Sequence, residues 1–141
     1  MPKPVTPLLT VDAVILLKNE KKLVLIRRKF PPFQGVLALP GGFVEVGETV
    51  ESACIRETKE ETNLDIKINK LIGVFSDPGR DPRGHNVTIA FLCTPLTKNE
   101  NPKALDDAAE IELVDLSEIS SLELAFDHKD IINRSGILNQ Q

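Results

Sequence analysis

The sequence predicts a single α/β domain in which helices cover both faces of a mixed β-sheet. Two observations predict this class: apolar, β-branched runs recur along the chain, and one central and one terminal segment have helical patterns. The chain has 141 residues, the length of one domain, and no long Pro-, Gly- or Ser-rich linker divides it. We therefore expect residues 1–141 to form one domain around one core.

The first predicted element is a β-hairpin. Residues 8–17 and 23–28 are apolar runs rich in β-branched side chains, and the short polar segment 18–22 separates them. A turn-rich loop then leads to a short apolar strand at residues 36–39. The Pro-Gly-Gly sequence at 40–42 predicts a sharp break in the chain after that strand.

Residues 50–62 form the central predicted helix. Thr49 is a suitable N-cap, and Asn63 can adopt the left-handed conformation that often ends a helix. Asp127 is expected to cap a last helix that runs to about residue 138. Three further strands are predicted at residues 66–75, 87–94 and 111–115.

Acidic residues are concentrated in one segment of the chain. The net charge is -4, from 17 basic and 21 acidic residues. Residues 45–61 hold six glutamates and two basic residues, so this segment accounts for the whole excess and the rest of the chain is balanced. Affinity for nucleic acid comes largely from Lys and Arg contacts with phosphates. We therefore expect no nucleic-acid partner.

The location of the protein is predicted from its cysteines and its hydropathy. Cys54 and Cys93 have no Cys-x-x-Cys spacing, which is typical of buried, reduced thiols. No apolar run reaches the roughly 20 residues that span a bilayer. Residues 1–10 are Pro-rich and lack the apolar core of a signal peptide. These features predict a cytoplasmic protein with no membrane partner.

The acidic segment places three carboxylates on one face of the central helix. Glu57, Glu60 and Glu61 stand at i, i+3 and i+4, where like charges repel each other. Arg56 can pair with Glu60, but one guanidinium cannot neutralise three acids. A hard divalent cation that takes oxygen ligands, Mg2+ or Mn2+, can do so. The alternative is an ordinary charged face in water, which is how most charge runs behave.

The residues around this face match a known signature over residues 42–64. The pattern is Gly, five residues, Glu, seven residues, then Arg-Glu-U-x-Glu-Glu-x-Gly-U, where U is a bulky apolar residue. The sequence thereby resembles the Nudix hydrolases, and it departs from their pattern at Thr58 and Asn63. The resemblance implies a Nudix-type α/β/α sandwich, divalent cations, and hydrolysis of a nucleoside diphosphate linked to another moiety.

The resemblance also implies roles for the residues of the signature. Glu57 and Glu61 are expected to bind the metal directly, and Glu60 either binds it or acts as the base that orients water. The main-chain carbonyl of Gly41 is expected to face the metal. Arg56 is expected to hold the glutamates in place. The supporting residues of this network are Gly42 and Glu48.

Residues 76–85 resemble a narrower branch of that family, the ADP-ribose pyrophosphatases. In this branch a proline lies about fifteen residues beyond the signature, and Pro78 lies fourteen residues beyond Leu64. Residues 124–128, Leu-Ala-Phe-Asp-His, are also similar to that branch. Pro78 is therefore placed among the substrate-binding residues. The implied reaction converts ADP-ribose and water into AMP and ribose 5-phosphate, with Mg2+ or Mn2+ as cofactor.

Other substrate contacts are expected from arginine and phenylalanine side chains. Arg27 or Arg28, together with Arg80, is placed near the phosphates or the ribose. The Pro-fixed loop that holds Arg80, Arg83 and His85 makes a good anion clamp. Phe33 or Phe75 is placed beside the adenine, although each is also a typical core residue. An acid from a late loop is expected to complete the site, and the candidates are Asp106, Asp107 and Glu110.

Two alternative functions stand beside this hypothesis. The first is the same metal-dependent hydrolysis with a nucleoside triphosphate, such as an oxidised nucleotide, as the substrate. Its products are a nucleoside monophosphate and diphosphate. The second is a non-catalytic sensor that binds ADP-ribose, and the intact set of signature carboxylates argues against it. By resemblance, we expect the protein to be a homodimer. Its expected ligand is a small-molecule nucleotide substrate.

Overall fold

The computed structural model describes residues 2–97 and 110–140. The strands in these ranges are β1 (Leu8–Leu17), β2 (Lys22–Arg27), β3 (Leu37–Ala38), β4 (Gly41–Phe43), β5 (Ile66–Phe75), β6 (Asn86–Pro95) and β7 (Ile111–Asp115). The α-helices are α1 (Val50–Thr62) and α2 (His128–Ser135), and 3-10 helices lie at Leu116–Ser121 and Ile137–Gln140. None of these helices is long and apolar enough to cross a membrane.

β1 lies at the centre of a mixed seven-stranded sheet with the order β3-β2-β1-β6-β5. It runs parallel to β6 over residues 8–15. Its other edge is shared between two antiparallel partners, because β4 pairs with residues 10–12 and β2 pairs with residues 16–17. β7 extends the sheet from β2. The sheet is therefore split beside the middle of β1, and this split positions the candidate site.

Each face of the sheet packs against one helix. Val11 and Ile15 of β1 share a buried cluster with Ala53 of α1. Successive side chains of a strand point to opposite faces, and Val14 accordingly lies in a second cluster with Ile131 of α2. A mixed sheet covered on both faces, the α/β/α arrangement predicted from the sequence, is confirmed.

The ends of α1 follow the sequence prediction. The Thr49 Oγ1 accepts a hydrogen bond from the Ser52 N–H at 3.0 Å. Asn63 has a left-handed φ of 63°, and its N–H donates to the Lys59 carbonyl at 2.9 Å. Both contacts satisfy backbone groups that a helix end leaves without a partner. The predicted hairpin and the other predicted strands are confirmed to within one residue at each end.

The predicted chain break lies at Leu39 and Pro40, between β3 and β4, and the prediction was wrong only for the two glycines. Gly41 and Gly42 form most of β4, and they pair with Asp12 and Val11 of β1. Glycine has a low strand propensity, so pairing with β1 decides the conformation here rather than local preference.

The predicted cap of the last helix was also wrong in its contacts. Asp127 occupies the N-cap position of α2, but its side chain makes no capping hydrogen bond. Its carboxylate instead accepts two hydrogen bonds from Arg80. α2 ends at Ser135, earlier than predicted, because Gly136 adopts a left-handed φ of 81°.

Candidate active site

The two glycines of β4 allow a close approach of α1 at Gly42 and of β1 at Gly41. A Cβ atom on Gly42 would lie under 3.0 Å from the Glu57 carboxylate. A Cβ atom on Gly41 would lie equally close to main-chain and side-chain atoms of Val11 and Asp12. Neither glycine has a positive φ, so their role here is to make room for carboxylates rather than to permit an unusual backbone.

Glu61 of α1 is held against β4. Its Oε1 accepts a hydrogen bond from the Gly41 N–H at 2.8 Å. Burial, together with the negative charges of Glu57 and Asp12, raises the pKa of Glu61 to about 8 against the opposing effect of the Gly41 hydrogen bond. At neutral pH this carboxyl group therefore keeps a proton until a cation compensates its charge.

Arg56 connects the loop before α1 with the acidic face of α1. Its Nε and Nη2 donate to the two carboxylate oxygens of Glu48 at 2.6 and 2.8 Å, which lowers the pKa of Glu48 to about 2. Its Nη1 donates to Glu57 at 2.9 Å. Glu60 is held more loosely, because the Arg56 Nη1 lies 3.4 Å from its carboxylate and the Glu60 side chain is 57% exposed.

Asp12 and His128 form another wall of the site. The Asp12 side chain is almost buried, and its Oδ2 lies 3.1 Å from His128 Nε2. His128 Nδ1 accepts a hydrogen bond from the Leu39 N–H at 3.0 Å. Nε2 is therefore the nitrogen that carries the proton and donates to Asp12. One imidazole thus joins β1, the segment between β3 and β4, and the start of α2.

Arg80 is buried beside this wall. Its side chain is only 6% exposed, and its Nε and Nη2 donate to the Asp127 carboxylate at 2.8 and 2.6 Å. Its Nη1 donates to Thr88 Oγ1 at 2.7 Å. This bidentate pair fixes the loop 76–85 against the start of α2.

Two arginine side chains lie over the aromatic ring of Phe126. The Cζ atoms of Arg28 and Arg83 lie 5.0 and 5.4 Å from its ring centroid, and Phe33 packs against its ring edge-to-face at 4.9 Å. Burial lowers the pKa of Arg28, and the positive charge of Arg83 lowers it further. Two like charges at one ring favour a bound anion, although Asp81 already pairs with Arg83 at 2.8 Å.

These groups surround a cleft of about 190 Å³. The acids Asp12 and Glu61 and the bases Arg28 and Arg83 all line it. A cleft that holds both acids and bases can accommodate a metal ion at the carboxylates and the oxygens of a phosphate at the guanidinium groups.

The NUDIX domain model matches residues 7–134 of the chain. The chain belongs to the NUDIX family. This confirms the resemblance stated from the signature.

Three proteins show how far the similarity extends. The chain is 50% identical over 126 residues to an ADP-ribose pyrophosphatase of Methanocaldococcus jannaschii, over 89% of this chain and 71% of that protein. It is 29% identical over 134 residues to the ADPR responsive transcriptional repressor NtrR of Acinetobacter baylyi, over 92% of this chain and 53% of that protein. A crystal structure of a bifunctional NMN adenylyltransferase/ADP ribose pyrophosphatase from Francisella tularensis, complexed with AMP and a Mn ion, has a TM-score of 0.79 and 31% identity, over 91% of this chain and 40% of that one. This chain thus spans about half of the repressor and less than half of the bifunctional protein.

The carboxylates of this NUDIX domain fit a divalent cation by their chemistry. Burial raises the pKa of both Glu57 and Glu61, and no basic side chain hydrogen-bonds Glu61 within the described ranges. A bound divalent cation would compensate these charges. In residues 2–97 and 110–140, however, no three acidic, imidazole or thiol side chains already converge as ligands.

The structure brings only some of the residues predicted for this NUDIX site to the cleft. Arg28, Gly41, Gly42, Glu61 and Arg80 line it. Glu57 packs against Gly42, and Glu48 and Glu60 are held through Arg56. Gly41 donates its N–H to Glu61, and its carbonyl as a metal ligand stays a prediction.

The other predicted residues lie elsewhere in the domain. Arg27 pairs with Glu112 at 2.6 Å, and Phe75 is buried in the core with Arg134 over its ring at 4.9 Å. Phe33 contacts Phe126 but does not line the cleft. Pro78 is exposed in its loop, and Glu110 is exposed with its main-chain carbonyl accepting a hydrogen bond from the Arg27 N–H. Asp106 and Asp107 lie outside the described residues.

Sequence reasoning missed several residues that line the NUDIX cleft, among them Asp12, Phe126 and His128. Asp12 is a charged residue within an otherwise apolar strand, and this contrast was the available signal. No separate contact in the cleft was expected of Phe126 or His128. Both belong to the Leu-Ala-Phe-Asp-His run, whose role depends on contacts with distant strands and the loop 76–85.

The raised pKa of Glu61 predicts how the stability of the metal-free protein depends on pH. Its pKa is about 8 in the folded state and close to 4.3 in the unfolded chain, so the folded state binds the extra proton between these values. The free energy of unfolding should therefore fall as pH rises from about 4.5 to 8, by up to about 1.4 kcal/mol per pH unit from this group. Urea denaturation in EDTA at several pH values measures this. The Glu61→Gln variant should show a smaller fall, and an identical pH profile in both proteins would contradict the assignment.

Proposed function

We propose that this protein hydrolyses the diphosphate bond of a nucleoside diphosphate sugar, with ADP-ribose as substrate and Mg2+ or Mn2+ as cofactor. One observation carries this proposal: Glu61, a partly buried carboxyl group that a cation would stabilise, shares a cleft with Arg28 and Arg83. The 50% identity to an ADP-ribose pyrophosphatase supports the same substrate.

The reaction consumes ADP-ribose and water and gives AMP and ribose 5-phosphate. The water oxygen bonds to one phosphorus atom, and the bond from that phosphorus to the bridging oxygen breaks. Glu57, Glu60 and Glu61, with the Gly41 carbonyl, would hold the metal. When bound, the metal supplies charge neutralisation at the phosphate oxygens and lowers the pKa of a water molecule.

The chain's own side chains bind and orient the substrate. Arg28 and Arg83 bind phosphate oxygens from the basic side of the cleft, where Phe126 supports both guanidinium groups. Arg56 holds Glu57 at 2.9 Å and thereby fixes one carboxylate of the metal set. Orientation of this kind lowers the barrier because the reacting groups are already positioned before the chemical step.

A substrate panel with Mg2+ tests the reaction. AMP and ribose 5-phosphate in equal amounts from ADP-ribose are the expected products, and chromatography identifies both. Faster turnover of a nucleoside triphosphate, with release of a monophosphate and diphosphate, would favour the triphosphate alternative. Absence of turnover with any nucleotide would contradict both reactions.

A non-catalytic sensor is the second candidate function. The similarity to an ADPR responsive transcriptional repressor favours it. The complete set Glu57, Glu60 and Glu61 favours hydrolysis, because a sensor needs no metal-activated water. Isothermal titration with ADP-ribose separates the two functions: a sensor binds it without producing AMP in the presence of Mg2+.

Divalent metal should stabilise the folded protein. Because a cation that binds the folded state alone adds RT ln(1 + [M]/Kd), millimolar Mg2+ at a site with a Kd near 10 μM adds about 2.7 kcal/mol. We expect the Tm to rise by several degrees at pH 8, and by less at pH 6, where the proton on Glu61 competes more strongly. Differential scanning fluorimetry measures the shift. A Tm that is indifferent to Mg2+ and Mn2+ would contradict the metal site.

We also propose that the protein is a cytoplasmic homodimer. Cys54 and Cys93 are free thiols with sulfur atoms 4.0 Å apart, which supports a reducing compartment. Leu71 and Val74 on the edge strand β5 are 54% and 52% exposed, and such apolar surface supports pairing with a second copy. Light scattering after size-exclusion chromatography tests the dimer.

A further inference from the structure

A second, larger groove adjoins the candidate active site. It measures about 510 Å³ and lies between the segment before β1 and the end of the loop 76–85. Phe43, Arg83 and Asn86 line both this groove and the cleft of about 190 Å³. The two spaces therefore share walls, and one ligand can occupy both.

The groove presents apolar side chains that have no covering partner in the described part of the chain. Val5 is fully exposed, Leu8 is 59% exposed and Phe43 is 46% exposed. Phe43 belongs to β4 and directly follows Gly41 and Gly42. This aromatic ring therefore stands on a rigid element next to the reacting groups.

Three of the four polar side chains that line the groove are already engaged, and the fourth belongs to the small Thr6. Arg83 donates from Nε and Nη2 to Asp81 at 3.1 and 2.8 Å, and the Asn86 side-chain amide donates to the same carboxylate at 2.6 Å. His85 Nε2 lies 3.0 Å from the Ser76 carbonyl oxygen. The free surface of the groove is consequently apolar, and it suits a flat, uncharged ring system better than a phosphate or a free sugar.

We propose that this groove binds the nucleobase of the substrate, with Phe43 as its stacking platform. The inference rests on the proposed function, which places the diphosphate at the charged groups of the smaller cleft. Small-molecule sites usually measure about 300–1,000 Å³, so a cleft of about 190 Å³ is too small for a whole dinucleotide-like substrate, and the adjoining groove supplies the missing volume. Arg83 stands where the two spaces meet, beside the phosphate nearest the base.

The absence of tryptophan and tyrosine from the chain makes this proposal directly measurable. In the F43W variant the indole is the sole strong fluorophore, and stacking with adenine should quench it. AMP should quench this emission in a saturable way, whereas ribose 5-phosphate should not. The matched control is F30W, because Phe30 is 65% exposed but does not line the groove.

A truncation tests the energetic contribution of the same ring. Base–aromatic stacking is worth about 1–3 kcal/mol, so F43A should weaken AMP binding by about tenfold and leave ribose 5-phosphate binding unchanged. The KM for ADP-ribose should rise with kcat nearly constant, because uniform binding is lost. F30A should change none of these values.

Three outcomes would overturn the groove assignment. These are an F43W emission that AMP does not change, equal effects of F43A on AMP and ribose 5-phosphate, and a blue shift of F43W with protein concentration alone. The last would show that a second copy of the chain covers the groove. Hydrolysis of ADP-ribose with any of these results leaves the proposed function intact, whereas AMP quenching without turnover contradicts the function and supports the groove.

Discussion

Replacing Glu61 with glutamine is expected to lower kcat for ADP-ribose by about 100-fold or more while leaving the protein folded. Glutamine keeps a side-chain oxygen that can accept the Gly41 N–H, so the contact between α1 and β4 survives. It removes the negative charge that a divalent cation requires. Initial rates at saturating Mg2+ and the Tm in EDTA are the two measurements.

The Tm separates a catalytic role from a structural one. Because burial raises the pKa of Glu61, the neutral glutamine should leave the metal-free Tm unchanged or slightly higher at pH 8. Glu57→Gln should behave similarly, since burial also raises the pKa of Glu57. Glu51→Gln is the matched control in the exposed first turn of α1 and should keep full activity. An unchanged kcat in Glu61→Gln would remove Glu61 from the metal set.

Replacing Asp127 with alanine is expected to destabilise the fold by about 3 kcal/mol, because it leaves the buried guanidinium of Arg80 without its carboxylate. For a domain of this size the Tm should fall by roughly 10 °C. Activity should fall as well, since Arg80 lines the cleft and anchors the loop 76–85. Urea denaturation with the linear extrapolation gives the free energy of unfolding.

A double-mutant cycle and an exposed ion pair provide the controls for Asp127. Arg80→Met combined with Asp127→Ala should lose less stability than the sum of the single variants, because no charge remains buried alone. The Lys59–Asp65 pair has side chains that are 46% and 54% exposed, so Lys59→Ala should change stability by less than about 1 kcal/mol. Equal losses in Asp127→Ala and Lys59→Ala would show that burial of Arg80 has no energetic consequence.

The parts of the fold that depend on local contacts could be predicted from the sequence. α1 begins at a Thr49 cap and ends at a left-handed Asn63, and both signals lie within a few residues of the contacts they make. The acids on α1 were found for the same reason, because helical spacing alone places them on one face. Their matching signature identified the family, which the NUDIX domain model confirms.

The parts that depend on distant contacts could not be predicted in the same way. β4 is a strand because its glycines pair with β1, although glycine itself disfavours strands. Asp127 has the residue type and position of a cap, but a buried arginine 47 residues away competes for its carboxylate and forms two hydrogen bonds with it. His128 lies in the cleft through a hydrogen bond with Leu39, 89 residues earlier in the chain.

The contacts of Asp127 and His128 also have a consequence for the order of folding. These adjacent residues near the end of the domain hold Arg80, Leu39 and Asp12. Contacts between residues far apart in sequence are slow to form, because closing long loops costs chain entropy first. During synthesis, the acidic helix can form early, whereas the cleft assembles only after the residues around 127 have left the ribosome. Catalytic competence should therefore be among the last properties that a growing or refolding chain acquires.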